Sequence, residues 1–100
     1  MAHKKTNEHK SRGGILFEAH EIINGERLNA YGEPEDNFKT IAGLWTAYFD
    51  YEVEVTPLDV AMMMTLLKIA RIRTGTATAD SFVDAAGYIG IAADMEEVSA

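Results

Sequence analysis

Apolar residues recur at three- and four-residue spacing through most of the chain, which is the signature of amphipathic helices rather than strands. From Ile15 to about Asn29, Leu16, Ala19, Ile22 and Ile23 share one side of a helix while Glu18, Glu21 and Glu26 take the rest. Asn24-Gly25 falls inside that span; a glycine carried through a helix costs about 1 kcal/mol, and the pattern predicts that the helix continues. Tyr31-Gly32-Glu33-Pro34 reads as a stop followed by a restart. Proline suits the first helical turn, and Glu35 and Asp36 suit its positive dipole end. A second helix then runs to about Phe49, with a core stripe of Phe38, Ile41, Trp45, Tyr48 and Phe49 widened by Ala42 and Leu44.

Asp50 to Val55 breaks the period and is predicted as a loop. Thr56-Pro57-Leu58-Asp59 is a strong helix start: threonine as N-cap, proline at the first position, and aspartate at the third, placed to reach back as in a capping box. The third helix extends to about Arg73. Its segment from Val60 to Leu67, including Met62-Met63-Met64, is apolar nearly all round and needs cover, as the centre of the domain or as a subunit interface. In a small bundle, neighbours enclose such a helix on three sides and leave a face of methionine and leucine for another copy of the chain. Thr74-Gly75-Thr76 ends this helix, with Arg71 and Arg73 in its last turn. A fourth helix begins near Thr78 to Asp80 and carries Phe82, Val83, Ala86, Ile89 and Ala93 to about Glu97. Gly87 and Gly90 inside it mark the close approach of another element or of a ligand, packing being the commoner cause.

The predicted architecture is therefore all-α, a compact bundle of about four helices assembled as a homo-oligomer. Residues 15–100 form a single helical domain, and residues 1–14 a flexible basic arm hinged at Gly13-Gly14. The length of 100 residues agrees with one domain, and the absence of cysteine removes disulfides, thiolate nucleophiles and cysteine-zinc sites.

Charge divides the chain in two. The arm carries Lys4, Lys5, Lys10 and Arg12 against Glu8, a net +3, whereas residues 15–100 carry five cations against fifteen acidic residues, a net −10. So acidic a body repels a nucleic-acid backbone, which excludes generic DNA or RNA coating and leaves small nucleotides open. No stretch approaches the roughly 18 to 20 apolar residues of a membrane span, and the N-terminus opens on polar residues. These features predict a cytoplasmic protein with no membrane partner.

Chemistry-bearing residues fall into three groups. Asp80, Asp84 and Tyr88, at i, i+4 and i+8, line one face of the fourth helix. Two carboxylates one turn apart can share Mg²⁺ with waters and substrate phosphates. The structural alternative makes Asp80 a first-turn acid and pairs Asp84 with Lys68 or Arg71. Lys68 and Arg71, at i and i+3, emerge together at the polar end of the third helix, where they grip a phosphate or satisfy Asp84. Arg27 and Tyr31, followed by Asn37, either stack a base and contact a phosphate or tie down a helix junction. Asp59 is explained by its cap, His20 by solvation and Trp45 by the core stripe. No serine-nucleophile motif, phosphate loop or histidine metal cluster is present.

Taken together, Arg27, Tyr31-Gly32-Glu33-Pro34-Glu35-Asp36-Asn37-Phe38, Ile41-Ala42 with Leu44-Trp45 and Tyr48, Thr56-Pro57, the run from Asp59 to Ile72, and Asp80, Asp84 and Ala86-Gly87-Tyr88 resemble a family of short helical phage and prophage proteins, mostly uncharacterised. The resemblance covers about two-thirds of the chain and implies a phage or prophage origin, hence the host bacterial cytoplasm, without a settled activity. A weaker similarity is to the all-α nucleoside-triphosphate pyrophosphohydrolases. It sets Glu18 and Glu21 beside Asp80 and Asp84 as acidic pairs for Mg²⁺, but no helix here carries the dense run of three glutamates of those enzymes.

Two functions are expected from these features. The first is binding of a nucleotide or nucleotide-derived small molecule, with Arg27, Lys68 and Arg71 on phosphates and Tyr31, Asn37 and Tyr88 on base or sugar. It acts by sequestration or, with Asp80 and Asp84 as Mg²⁺ ligands, by hydrolysis; whether the chain is an enzyme stays open. The alternative is an acidic inhibitor or adaptor that binds a host defence protein.

Overall fold

Side-chain caps begin two of the four described helices. The computed structural model describes residues 9–25, 32–75 and 78–99. Four helices lie within them: α1 (Arg12–Asn24), α2 (Pro34–Tyr48), α3 (Pro57–Thr74) and α4 (Ala79–Glu96). No strand occurs among the described residues, so the all-α reading holds.

The Ser11 hydroxyl accepts the Gly14 N–H at 3.0 Å and starts α1 at Arg12, ahead of the predicted Ile15. Gly13 and Gly14 thus sit in the first helical turn rather than forming a hinge. The predicted continuation past Asn24-Gly25 is corrected: α1 stops at Asn24. The Asn24 side-chain amide donates to the His20 carbonyl at 3.0 Å, and a Cβ at Gly25 would stand 2.6 Å from the Glu21 carbonyl oxygen. Glycine is therefore required at this exit. Arg27 and Tyr31 lie outside the described residues.

In α2, Pro34 occupies the first turn with Glu35 and Asp36. Phe38 and Ala42 are buried, with Ile41 and Trp45 packed against them. The rest of the predicted stripe is corrected, because Leu44, Phe49 and Tyr48 are exposed, Tyr48 by 82%. The helix ends at Tyr48, and Asp50 and Tyr51 both take left-handed backbone angles, φ 56° and 63°, that turn the chain away. The Tyr48 and Phe49 rings meet edge to face, 5.5 Å apart, outside the core. Val55 returns to the core, its N–H donating to the Thr46 hydroxyl at 2.8 Å.

The capping box of α3 is complete. The Thr56 N–H donates to Asp59 Oδ2 at 3.0 Å and the Asp59 N–H to Thr56 Oγ1 at 3.1 Å. Val60 and Ala61 are fully buried, and the buried Thr65 hydroxyl donates to the Ala61 carbonyl at 2.8 Å. On the opposite side Met63, Leu66, Leu67 and Ile69 are exposed. Among the described helices α3 packs against α2 and α4, so it is enclosed on two sides and not the expected three.

Central position belongs to α4, which packs broadly on α3, also on α1, and touches α2. Gly87 and Gly90 make room for one α1 side chain: added Cβ atoms would meet Ile23 Cγ2 at 3.2 Å and Ile23 Cδ1 at 3.4 Å. Helix packing thus accounts for both glycines. The main core joins Phe38, Ala42, Val55, Val60, Ala61 and Ala92, and Ala19 and Val83 are buried where α1 and α4 pack. No described helix is long and apolar enough to cross a membrane.

Candidate functional site

A cleft of 280 Å³ opens between α1, α3 and α4. Ala19, Ile22 and Ile23 of α1 supply one apolar wall, and Val83, Gly87 and Ile91 of α4 supply another. Lys68 of α3 and Asp84 and Tyr88 of α4 are its polar groups. The size is close to the lower end of ligand pockets, roughly 300 Å³, and the composition is of that kind: apolar walls with a few convergent polar groups.

Lys68 Nζ lies 3.0 Å from Asp84 Oδ2. The two side chains differ in exposure, 19% for Lys68 and 39% for Asp84. The lysine stem therefore runs along the protein while the carboxylate faces the opening. Each partner engages the other, so an incoming anion competes with Asp84 for the ammonium, and an incoming cation competes with Lys68 for the carboxylate. Tyr88 is half-buried beside them, its ring 6.2 Å from that of Phe38 and tilted by 35°. The phenol is thereby oriented by the main core.

The structure thus brings together three of the predicted residues: Lys68, Asp84 and Tyr88. Asp80 lies one turn before Asp84 on α4 and is exposed in the first turn. Arg71 and Asn37 are exposed on α3 and α2, and neither lines the cleft. The expected alternative for Asp84, an ion pair with Lys68, is realised. Among the described residues no three histidine, aspartate or glutamate side chains converge in a way that could hold a metal ion. Glu18, one member of the acidic pair on α1, pairs with Lys10 at 2.7 Å.

Ile22 and Ile23, predicted as apolar packing positions of α1, also line the cleft, together with Gly87, which the sequence offers as a close approach of another element or of a ligand. Gly87 was the available signal, since a glycine in an alanine-rich helix marks a place where the surface recedes.

The geometry describes a small helical protein with a mixed polar and apolar cleft between three helices. Residues 14–96 match the model of a domain of unknown function, DUF6378, and the chain belongs to that family. It is similar to the Gene 55 protein of Mycobacterium phage L5, with 50% identity over 82 residues, 82% of this chain and 52% of the relative. The Gene 55 protein of Mycobacterium phage D29 is 49% identical over 76 residues, 76% of this chain and 49% of that protein. The chain spans about half the length of these curated relatives. No solved structure matches. The expected resemblance to a phage family of unknown function is therefore correct.

Proposed function

We propose that the α1–α3–α4 cleft binds a nucleotide or a nucleotide-derived small molecule. The observation that carries this reading is the Lys68–Asp84 pair at a cleft whose walls are apolar. A base or sugar lies against the apolar walls of the cleft, Tyr88 offers a hydroxyl to its polar edge, and the Lys68 ammonium supplies charge for a phosphate. Arg71, one turn beyond Lys68, is free to swing toward a longer phosphate chain. In the hydrolytic version Asp80 and Asp84 would hold Mg²⁺, which would supply positive charge for phosphate oxygens, with Asp84 exchanging Lys68 for the metal. The phage relatives support a setting in the host bacterial cytoplasm, and the exposed apolar side of α3 supports a homo-oligomer.

A thermal-shift screen against linear and cyclic nucleotides, with and without Mg²⁺, tests the reading. Ligand at 100 times its Kd stabilises by about 2.7 kcal/mol, and each kcal/mol moves a domain of this size by about 4–8 °C. A flat screen rejects the cleft as a nucleotide site. A Mg²⁺-dependent shift with pyrophosphate release, abolished in Asp80→Ala/Asp84→Ala, supports hydrolysis; unchanged turnover in that variant removes it.

The α2–α3 connection favours a second reading, an acidic inhibitor or adaptor for a host defence protein. It displays Tyr48 and Tyr51 beside Asp50, Glu52 and Glu54, all exposed. Binding to a host nuclease that ignores both added salt and Glu52→Gln/Glu54→Gln rejects charge mimicry.

A further inference from the structure

The outer side of α3 carries a second pattern beyond the one that packs the core. Val60, Ala61 and Thr65 face inward. Asp59, Met63, Leu66, Ala70 and Arg73, spaced four, three, four and three apart, form one exposed seam on the other side. This is the spacing at which one helix presents a continuous strip to another. Met63 and Leu66 are 43% and 62% exposed, and the flanking Leu67 and Ile69 are 47% and 44%. Contiguous apolar side chains of this size on a water-facing helix mark an interaction surface.

The seam is self-complementary in one orientation. Asp59 stands seven residues before Leu66 and Arg73 seven after it. An antiparallel copy crossing at Leu66 sets Asp59 against Arg73 at both ends, and the long Met63 opposite the small Ala70 on either side of the crossing. A parallel copy sets aspartate on aspartate and arginine on arginine. The Asp59 carboxylate uses Oδ2 for the capping box, which leaves Oδ1 for a partner. A two-fold axis requires this property, one patch that complements itself.

We infer that two copies of the chain pair through α3 in antiparallel fashion, about a two-fold axis at Leu66. This rests on the homo-oligomer reading above and specifies its face and symmetry. The pairing is independent of the cleft, because Lys68 lies on the core side of α3.

Light scattering across a dilution series, with the full chain, tests the assembly and then the face. The expected result is twice the chain mass for the wild type, and the chain mass for Leu66→Glu with unchanged helical circular dichroism. Arg73→Glu sets acid against acid at both ends, and it shifts the dimer midpoint to higher protein concentration. The absence of native cysteine gives a second readout. Mild oxidation of Leu66→Cys links two chains through identical positions, as only a crossing at that residue permits, whereas Leu44→Cys on α2 stays unlinked. A wild type that remains monomeric at every concentration overturns the homo-oligomer reading and leaves the face to a different chain. A dimer that persists in Leu66→Glu, with no linkage of Leu66→Cys, overturns this face alone.

Discussion

Replacing Asp84 by asparagine separates what the Lys68–Asp84 pair does for the fold from what it does for a ligand. At 3.0 Å the bare attraction of two unit charges at an effective dielectric of 20 is about 5 kcal/mol. Water still reaches more than a third of Asp84, and desolvation of both groups opposes the attraction, so the net contribution falls to about 1 kcal/mol. Asp84→Asn should therefore lower Tm by about 4–8 °C. Lys68→Met should cost no more, about 1 kcal/mol, because the carboxylate it leaves unpaired is still reached by water. The double variant should cost less than the two single losses combined, and that difference measures the coupling. Ligand binding moves the other way. With its competitor neutralised, Lys68 is released for an incoming anion, and a gain of about 1 kcal/mol tightens nucleotide binding about fivefold without Mg²⁺. Thermal unfolding and titration calorimetry on the same four proteins give both numbers. Zero coupling would show that the pair contributes nothing to stability. Weaker metal-free binding by Asp84→Asn would refute the competition argument and make Asp84 a ligand contact.

Two further variants probe the scaffold. Thr56→Ala removes one half of the capping box at the start of α3 and should cost about 1 kcal/mol, which Thr56→Ser restores; denaturant midpoints report it, and an unchanged midpoint for Thr56→Ala denies the box any role in stability. Gly87→Ala brings a Cβ to 3.2 Å from Ile23 Cγ2, so the clash offsets the helix-propensity gain of about 1 kcal/mol. In an Ile23→Ala background the same change should stabilise, and strictly additive costs would show that the two helices do not press together at this point.

Much of the fold was legible because local chemistry decided it. Pro34 and the Thr56-Pro57-Leu58-Asp59 box start α2 and α3 where the sequence predicts, since each acts within one turn of the chain. Failures occur where a neighbour decides. Asn24-Gly25 is neutral in periodicity, and only the backbone at Glu21, which excludes a side chain at position 25, reveals a stop. Tyr48 and Phe49 sit at helical spacing from Phe38, but Tyr48 is the last residue of α2 and Phe49 lies beyond it, where the left-handed pair Asp50 and Tyr51 turns the chain away. Neither residue type advertises that conformation as glycine would.

The cleft was less legible than the fold, because its walls come from three helices and its polar members are separated by sixteen positions in the chain, from Lys68 to Asp84. Pattern alone allowed Asp84 a metal, Lys68 or Arg71; helix packing selects Lys68 by placing its stem on the core side of α3. The same comparison resolves the apolar run from Val60 to Leu67. A central helix and a helix with one partnered and one open apolar face have similar compositions. Charges at the ends of each stripe distinguish them: the inner stripe ends at Lys68, whose charge is met within the chain by Asp84, whereas the outer stripe is bounded by Asp59 and Arg73. Those two cannot meet along one helix, since fourteen residues of helix hold them about 21 Å apart, and it is the inferred antiparallel pair that would set them against each other.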